Sequence, residues 1–181
     1  MRVITGIARG KRLKTLEGAD VRPTTDRVKE SIFSIIQFDI EGSNVLDLFC
    51  GSGQLGIEAL SRGASHVAFV DKSKRSIEVT KENLTSTELM SKARIVNMDS
   101  IDFIKTTNST FDIAILDPPY NNGILEATLP LLEKLMNDNG IVLCEHECKL
   151  ELKEKIGRLK LFKTYKYGKI SLSLYKIKGE E

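Results

Sequence analysis

The sequence predicts an α/β fold: a mostly parallel seven-stranded sheet that ends in an antiparallel C-terminal hairpin and carries a small N-terminal β-hairpin extension. Three observations point there. Five short apolar runs alternate with stretches long enough for helices, the signature of βαβ units. The C-terminal segment alternates apolar and polar residues on either side of Gly168, and the N-terminal one scatters short apolar patches between glycines and basic residues. The chain has 181 residues, of which 41% are hydrophobic and 29% charged. That length suits one domain burying roughly 70% of its unfolded surface, and the composition excludes a disordered, collagen-like or disulfide-scaffold protein.

Residues 1–17 hold Val3-Ile4 and Ile7-Ala8 between Gly6, Gly10 and several basic side chains, and read as a hairpin appendage. Arg22-Pro23 forces extended backbone, after which Thr24 or Thr25 can cap a helix with Asp26 in its first turn. Val28, Ile32, Ile35 and Ile36 then line one helical face. Residues 45–48, 67–70, 94–97, 113–116 and 141–144 read as buried parallel strands. Residues 160–167 and 169–178 form the closing hairpin. One domain over 1–181 is expected, with residues 1–23 a basic extension and 24–181 the core.

The first strand runs into Asp47-Leu-Phe49-Cys-Gly51-Ser52-Gly53-Gln-Leu55-Gly56, in which Gly51, Gly53 and Gly56 match G-x-G-x-x-G. Glycine serves where backbone turns sharply and meets a ligand closely, and the amides that open the next helix are available to donate. Asp71 closes the second strand twenty residues after Gly51, placed to accept from two ribose hydroxyls. Dinucleotide enzymes share the glycine pattern. Asp47, four residues before Gly51, separates the cases: a carboxylate at the loop mouth repels pyrophosphate and attracts an ammonium or sulfonium, which favours S-adenosylmethionine. Cys50 lies within the turn and reads as small-residue packing. At the end of the third strand Asp99 can accept from an adenine amino group, with Met98 on the ring and Ser100 beside it, or it can simply cap the next helix.

The fourth strand delivers Asp117-Pro118-Pro119-Tyr120 to the same edge. The lone pair of a nucleobase amine is delocalised into the ring. The Asp117 carboxylate and the Pro118 carbonyl can accept from such an amine and turn its lone pair toward a sulfonium methyl. The prolines fix these acceptors, and Tyr120 offers a stacking face for an unstacked base. Alone, the tetrapeptide is also a reasonable strand-ending turn.

Asp47…Gly51-Ser52-Gly53, Asp71, Asp99 and the DPPY motif resemble the Rossmann-like class I methyltransferases that modify amino groups, a set shared by adenine-N6, cytosine-N4 and guanine-N2 enzymes. The flanks are more specific. Residues 1–13, 22–30 and 46–64, with Tyr167-Gly168, are similar to the bacterial RsmD family over nearly the whole chain. That resemblance implies a guanine-N2 methyltransferase using S-adenosylmethionine on the helix 31 loop of 16S ribosomal RNA, preferably in assembled small-subunit particles. It also implies that the segment from Arg22 to Arg27 closes over the cofactor and reaches the RNA. Asp71 stands where glutamate is expected and Cys50 where alanine is expected. The alternatives are an amino methyltransferase acting on adenine-N6 of DNA or RNA, and a non-catalytic RNA-binding assembly factor.

The net charge of +2 is a cancellation. Residues 1–29 hold eight Lys/Arg against three Asp/Glu, residues 30–150 ten against eighteen, and residues 151–178 nine against two. Basic flanks around an acidic middle suit a polyanion partner, and Arg9, Lys11, Arg12, Arg22, Thr24, Arg27 and Tyr167 are the candidate RNA contacts. Three cysteines and no apolar leader or membrane-length run point to a cytoplasmic protein. Cys144, His146 and Cys148 would share a face of a continuing strand, but no fourth ligand is visible, so no metal is expected. A monomer is expected.

Overall fold

The computed structural model describes residues 1–16, 26–120 and 123–177. The helix α1 (Asp26–Ile35) precedes four βα steps and a fifth strand: β1 (Asn44–Asp47), α2 (Gln54–Ser61), β2 (His66–Asp71), α3 (Lys74–Thr87), β3 (Ala93–Asn97), α4 (Ser100–Thr106), β4 (Phe111–Leu116), α5 (Ile124–Leu132) and β5 (Met136–Glu147). The short β6 (Lys155–Ile156) then leads into β7 (Leu159–Tyr167) and β8 (Ile170–Ile177). The expected capping residues Thr24 and Thr25 lie outside the described residues.

The strands form one sheet in the order β3-β2-β1-β4-β5-β8-β7-β6. Neighbours from β3 to β5 are parallel, and β5 with β8, β8 with β7, and β7 with β6 are antiparallel. The seven expected strands are all present, and β6 makes an eighth. It spans two residues and turns back through Gly157 at φ 54°, too short for periodicity to reveal. Strand β5 also begins earlier than its apolar run, because the polar Asn137-Asp138-Asn139 stretch precedes that run.

Apolar side chains pack on both faces. On one, α1, α2 and α3 bury Ile32, Phe33, Ile57 and Leu84 against Val45, Phe69 and Leu172. On the other, α4 and α5 bury Phe103, Leu125 and Leu129 against Leu46, Ala114 and Val142. The N-terminal arm is closed by one bridge, Arg2 to Arg12, and by Val3 N donating to Lys11 O at 3.0 Å. The arm is more than an appendage. Val3, Ala8 and Leu13 are buried in the first core, and the buried Glu58 of α2 accepts from the backbone amides of Ile4 (2.8 Å) and Thr5 (3.0 Å). No helix among the described residues is long and apolar enough to cross a membrane.

Candidate active site

Sheet order reverses between β1 and β4, and a crevice opens outside the carboxyl ends of strands at such a switch point. A cleft of about 770 Å³ lies there. Its floor is the turn from β1 into α2. Gly51 and Gly53 adopt φ 53° and 78°, left-handed backbone that glycine takes without a Cβ penalty. Asp71 braces this turn: one carboxylate oxygen accepts from Gly51 N at 2.9 Å and the other from Ser73 N at 2.8 Å. Ser73 caps α3 in turn, accepting from Ser76 N at 3.2 Å.

Of the residues proposed from sequence for the cofactor, Phe49, Gly51, Ser52, Leu55, Asp71, Asp99 and Ser100 line the cleft, together with all four of Asp117, Pro118, Pro119 and Tyr120. Asp47, Gly53, Gly56 and Met98 do not. Asp47 is buried rather than at the loop mouth. It shares a face of β1 with Val45, so its side chain runs under the first turn of α2, where it accepts from Gly56 N at 2.9 Å. Burial pushes its carboxyl up to about 7, against the pull of the Gly56 amide, and the nearby charges of Asp117 and Asp71 push the same way. Gly53 and Gly56 act in packing: a Cβ on Gly53 would come 2.8 Å from Thr80 Cγ2, and one on Gly56 would overlap the Phe69 ring. Met98 turns toward α4, where Thr106 Oγ1 lies 3.8 Å from its sulfur, and Ile101 takes the place expected for it on the cleft wall.

Asp99 does cap α4, accepting from Ile101 N at 2.9 Å, while also lining the cleft. The two readings left open by the sequence are therefore compatible in one residue. At the far end Tyr120 donates its hydroxyl to Glu145 Oε1 at 2.8 Å. Glu145 is buried on β5, whose register pairs Leu116 with Cys144 and so sets Glu145 beside Asp117. Sequence reasoning passed over it, although an acid at the end of an apolar strand next to the tetrapeptide is the signal. A second cavity of about 260 Å³ lies against Pro118, Pro119 and Tyr120 and shares Glu145 with the main cleft. Met1, Thr15 and Leu16 of the arm also line the main cleft, and nothing local in the sequence marks them.

Among the candidate RNA contacts, Arg9, Arg12 and Arg27 are exposed and Lys11 pairs with Glu88 at 2.6 Å. Tyr167 is half-buried against the core at the end of β7. Arg22 and Thr24 lie outside the described residues. Cys144 is buried, His146 Nε2 lies 2.8 Å from Ser173 Oγ, and Ser171 Oγ donates to Cys148 Sγ at 3.1 Å. Among the described residues no cluster of His, Cys, Asp and Glu is arranged to hold a metal.

A doubly wound sheet with this strand order, glycine turn and cleft has the Rossmann-like fold of the class I methyltransferases. Within that class, the chain belongs to the family described as conserved hypothetical protein 95, whose model matches residues 1–176, and which is the RsmD family. It is 40% identical over 184 residues to YlbH of Bacillus subtilis, covering 99% of this chain and 100% of that protein. It is 38% identical over 152 residues to the ribosomal RNA small subunit methyltransferase D of Haemophilus influenzae, covering 81% and 79%. The solved structure of yhhF from Escherichia coli superposes with a TM-score of 0.89 at 31% identity, covering 99% of both chains.

Proposed function

We propose that the protein transfers a methyl group from S-adenosylmethionine to the exocyclic N2 of a guanine in 16S ribosomal RNA, in the loop of helix 31 of the small subunit. The observation that carries this reading is the meeting of Asp117-Pro118-Pro119-Tyr120 with the Asp71-braced glycine turn across one cleft. The residues present suit the cofactor. Carboxylates at Asp71, Asp99 and Asp117 stand among apolar Phe49, Leu55 and Ile101 on the walls, an acceptor set for a cationic ligand that carries hydroxyls and an amine around a flat ring. S-adenosylmethionine supplies a methyl group already activated on a sulfonium, so neither a metal nor a covalent enzyme intermediate is required.

The chain's own residues orient the acceptor. Asp117 and the Pro118 carbonyl accept from the base amine and draw it out of planarity, which exposes its lone pair. Tyr120 stacks on the extruded base, its ring held by the hydrogen bond to Glu145. The second cavity, on the Pro118–Tyr120 wall, gives the base room beside the main cleft. The choice of ribosomal RNA and guanine follows the family, whose Haemophilus influenzae member is named for the small-subunit RNA.

The test is nucleoside mass spectrometry after incubating the protein and S-adenosylmethionine with 16S RNA and with small-subunit particles. N2-methylguanine is expected, more of it from particles. Methylated adenine without N2-methylguanine would refute the reading.

A further inference from the structure

Across the three C-terminal strands, Lys155 pairs with Lys160 and Lys160 with Lys176. Directly opposed residues on neighbouring strands share a face, so three ammonium groups stand in one exposed row. Like charges directly opposite one another destabilise a sheet, and among the described residues no carboxylate lies within 4.0 Å of any of the three. The contrast with the N-terminal flank is sharp, since Lys11 and Lys14 pair with Glu88 and Glu82, each at 2.6 Å.

Beside the row Phe162 is 63% exposed, with Lys176 Nζ 4.5 Å from its ring centre. It sits at the register shift between Leu161 and Lys163, and past that shift Lys163 lies 4.8 Å over the Tyr165 ring. Lysines beside an exposed aromatic side chain are the means by which sequence-tolerant RNA sites hold phosphates and stack a base.

We infer that the Lys155–Lys160–Lys176 row with Phe162 and Lys163 is an anchoring surface for the phosphate backbone of the RNA substrate. The inference rests on the proposed ribosomal RNA reading and extends it to a second contact. The row lies at the end of the sheet away from the cleft. Lys176 pairs with Ile141 and lies six strand rises along β8 from Ile170, which pairs with Glu147 at the carboxyl end of β5, about 20 Å at the rise of a strand. Contact there therefore fixes the RNA without touching the reacting base. The repulsion within the row is relieved when phosphate sits over it.

The experiment compares wild type with Lys155→Gln/Lys160→Gln/Lys176→Gln, and with Lys92→Gln/Lys105→Gln/Lys134→Gln, which makes the same change in net charge elsewhere. Binding to deproteinised 16S RNA is measured from 50 to 200 mM salt, with methyl transfer and thermal melting alongside. The row variant is expected to melt no lower than wild type and to bind S-adenosylmethionine equally well. Its KM for RNA rises, and its slope of log affinity against log salt flattens by about 2, at roughly 0.7 per lost single-strand phosphate contact. Phe162→Ala weakens RNA binding further, by about tenfold.

An unchanged slope, or one that the control variant flattens equally, overturns the anchoring surface. So does a loss seen with small-subunit particles and not with deproteinised RNA, which would make the partner a protein. Absence of methyl transfer to RNA by the wild type would sink the functional reading instead, and that result is read separately from the binding slopes.

Discussion

Asp47→Asn isolates the energetic consequence of the buried carboxylate under the glycine turn. The unfolded chain holds this aspartate near 3.8, and the fold pushes it up to about 7. Because the folded value is the higher one, the folded state binds the extra proton between them. The associated stability is fully present below pH 4, falls by about 1.4 kcal/mol per pH unit between 4 and 7, and levels off above 7. The interval of about three units corresponds to roughly 4 kcal/mol. Asparagine keeps an oxygen for the Gly56 amide 2.9 Å away and carries no charge, so it removes the gradient and leaves a constant offset. Urea unfolding of both proteins at pH 5, 6, 7 and 8 reads the difference directly. The variant should gain on wild type by about 1.4 kcal/mol per unit up to pH 7 and by little beyond. If the difference between the two is independent of pH, the carboxylate is not strained by burial and the reasoning fails.

Asp117→Ala should lower the methyl-transfer rate by about 10²–10³ with cofactor affinity nearly intact, because it aligns the acceptor amine; single-turnover kinetics paired with calorimetry separate the two effects. Asp71→Ala should weaken cofactor binding by about 1.5–3 kcal/mol, since it removes both a wall carboxylate and the acceptor for Gly51 N and Ser73 N; unchanged calorimetric affinity would count against that role. Glu58→Ala should destabilise the fold by about 3–5 kcal/mol. It takes the buried counter-charge from Lys29, whose pKa burial already pushes down and which keeps the Arg2 carbonyl at 2.6 Å and the more exposed Asp26 at 3.9 Å, and it leaves the Ile4 and Thr5 amides without their acceptor. Hydrogen exchange at those two amides should accelerate ahead of the core, and Glu58→Gln, which retains one accepting oxygen, should do much less harm.

Buried parallel strands are continuous apolar runs, and that is why β1, β2, β4 and β5 could be read from the sequence; residues 94–97 do form a strand, β3, but not the buried one expected, because β3 lies at the sheet edge and none of its residues is fully buried. The motif residues could be read because strand ends at a switch point converge whatever else varies. What escaped depends on side-chain direction. Whether Asp47 faces the cleft or the underside of α2 is decided by the pleat of a four-residue strand, which spacing from Gly51 does not carry. Whether Met98 or Ile101 meets a ligand depends on where α4 begins. Its cap at Asp99 sends Ile101 inward and leaves Met98 outside the lining. Glu145 was hidden for a different reason: its partner Tyr120 is 25 residues away, and strand register alone brings them together.

The N-terminal arm shows how a wall of the site is set by contacts remote in sequence. Asn83 of α3, buried, accepts from Lys14 N at 2.8 Å and donates through Nδ2 to Lys14 O at 3.0 Å and Ser52 O at 2.8 Å. One side chain thus clamps the arm to the glycine turn and holds Thr15 and Leu16 on the cleft wall. The same docking pairs the arm's lysines with acids at the end of α3, Lys14 with Glu82 and Lys11 with Glu88. A net charge of +2 then conceals an asymmetry between the flanks. Part of the N-terminal surplus is neutralised in building the site, whereas the Lys155–Lys160–Lys176 row stands without acids within pairing distance among the described residues. Salt dependence of RNA binding should accordingly follow the C-terminal strands more closely than Lys11 or Lys14, although the sequence gives both flanks the same basic character.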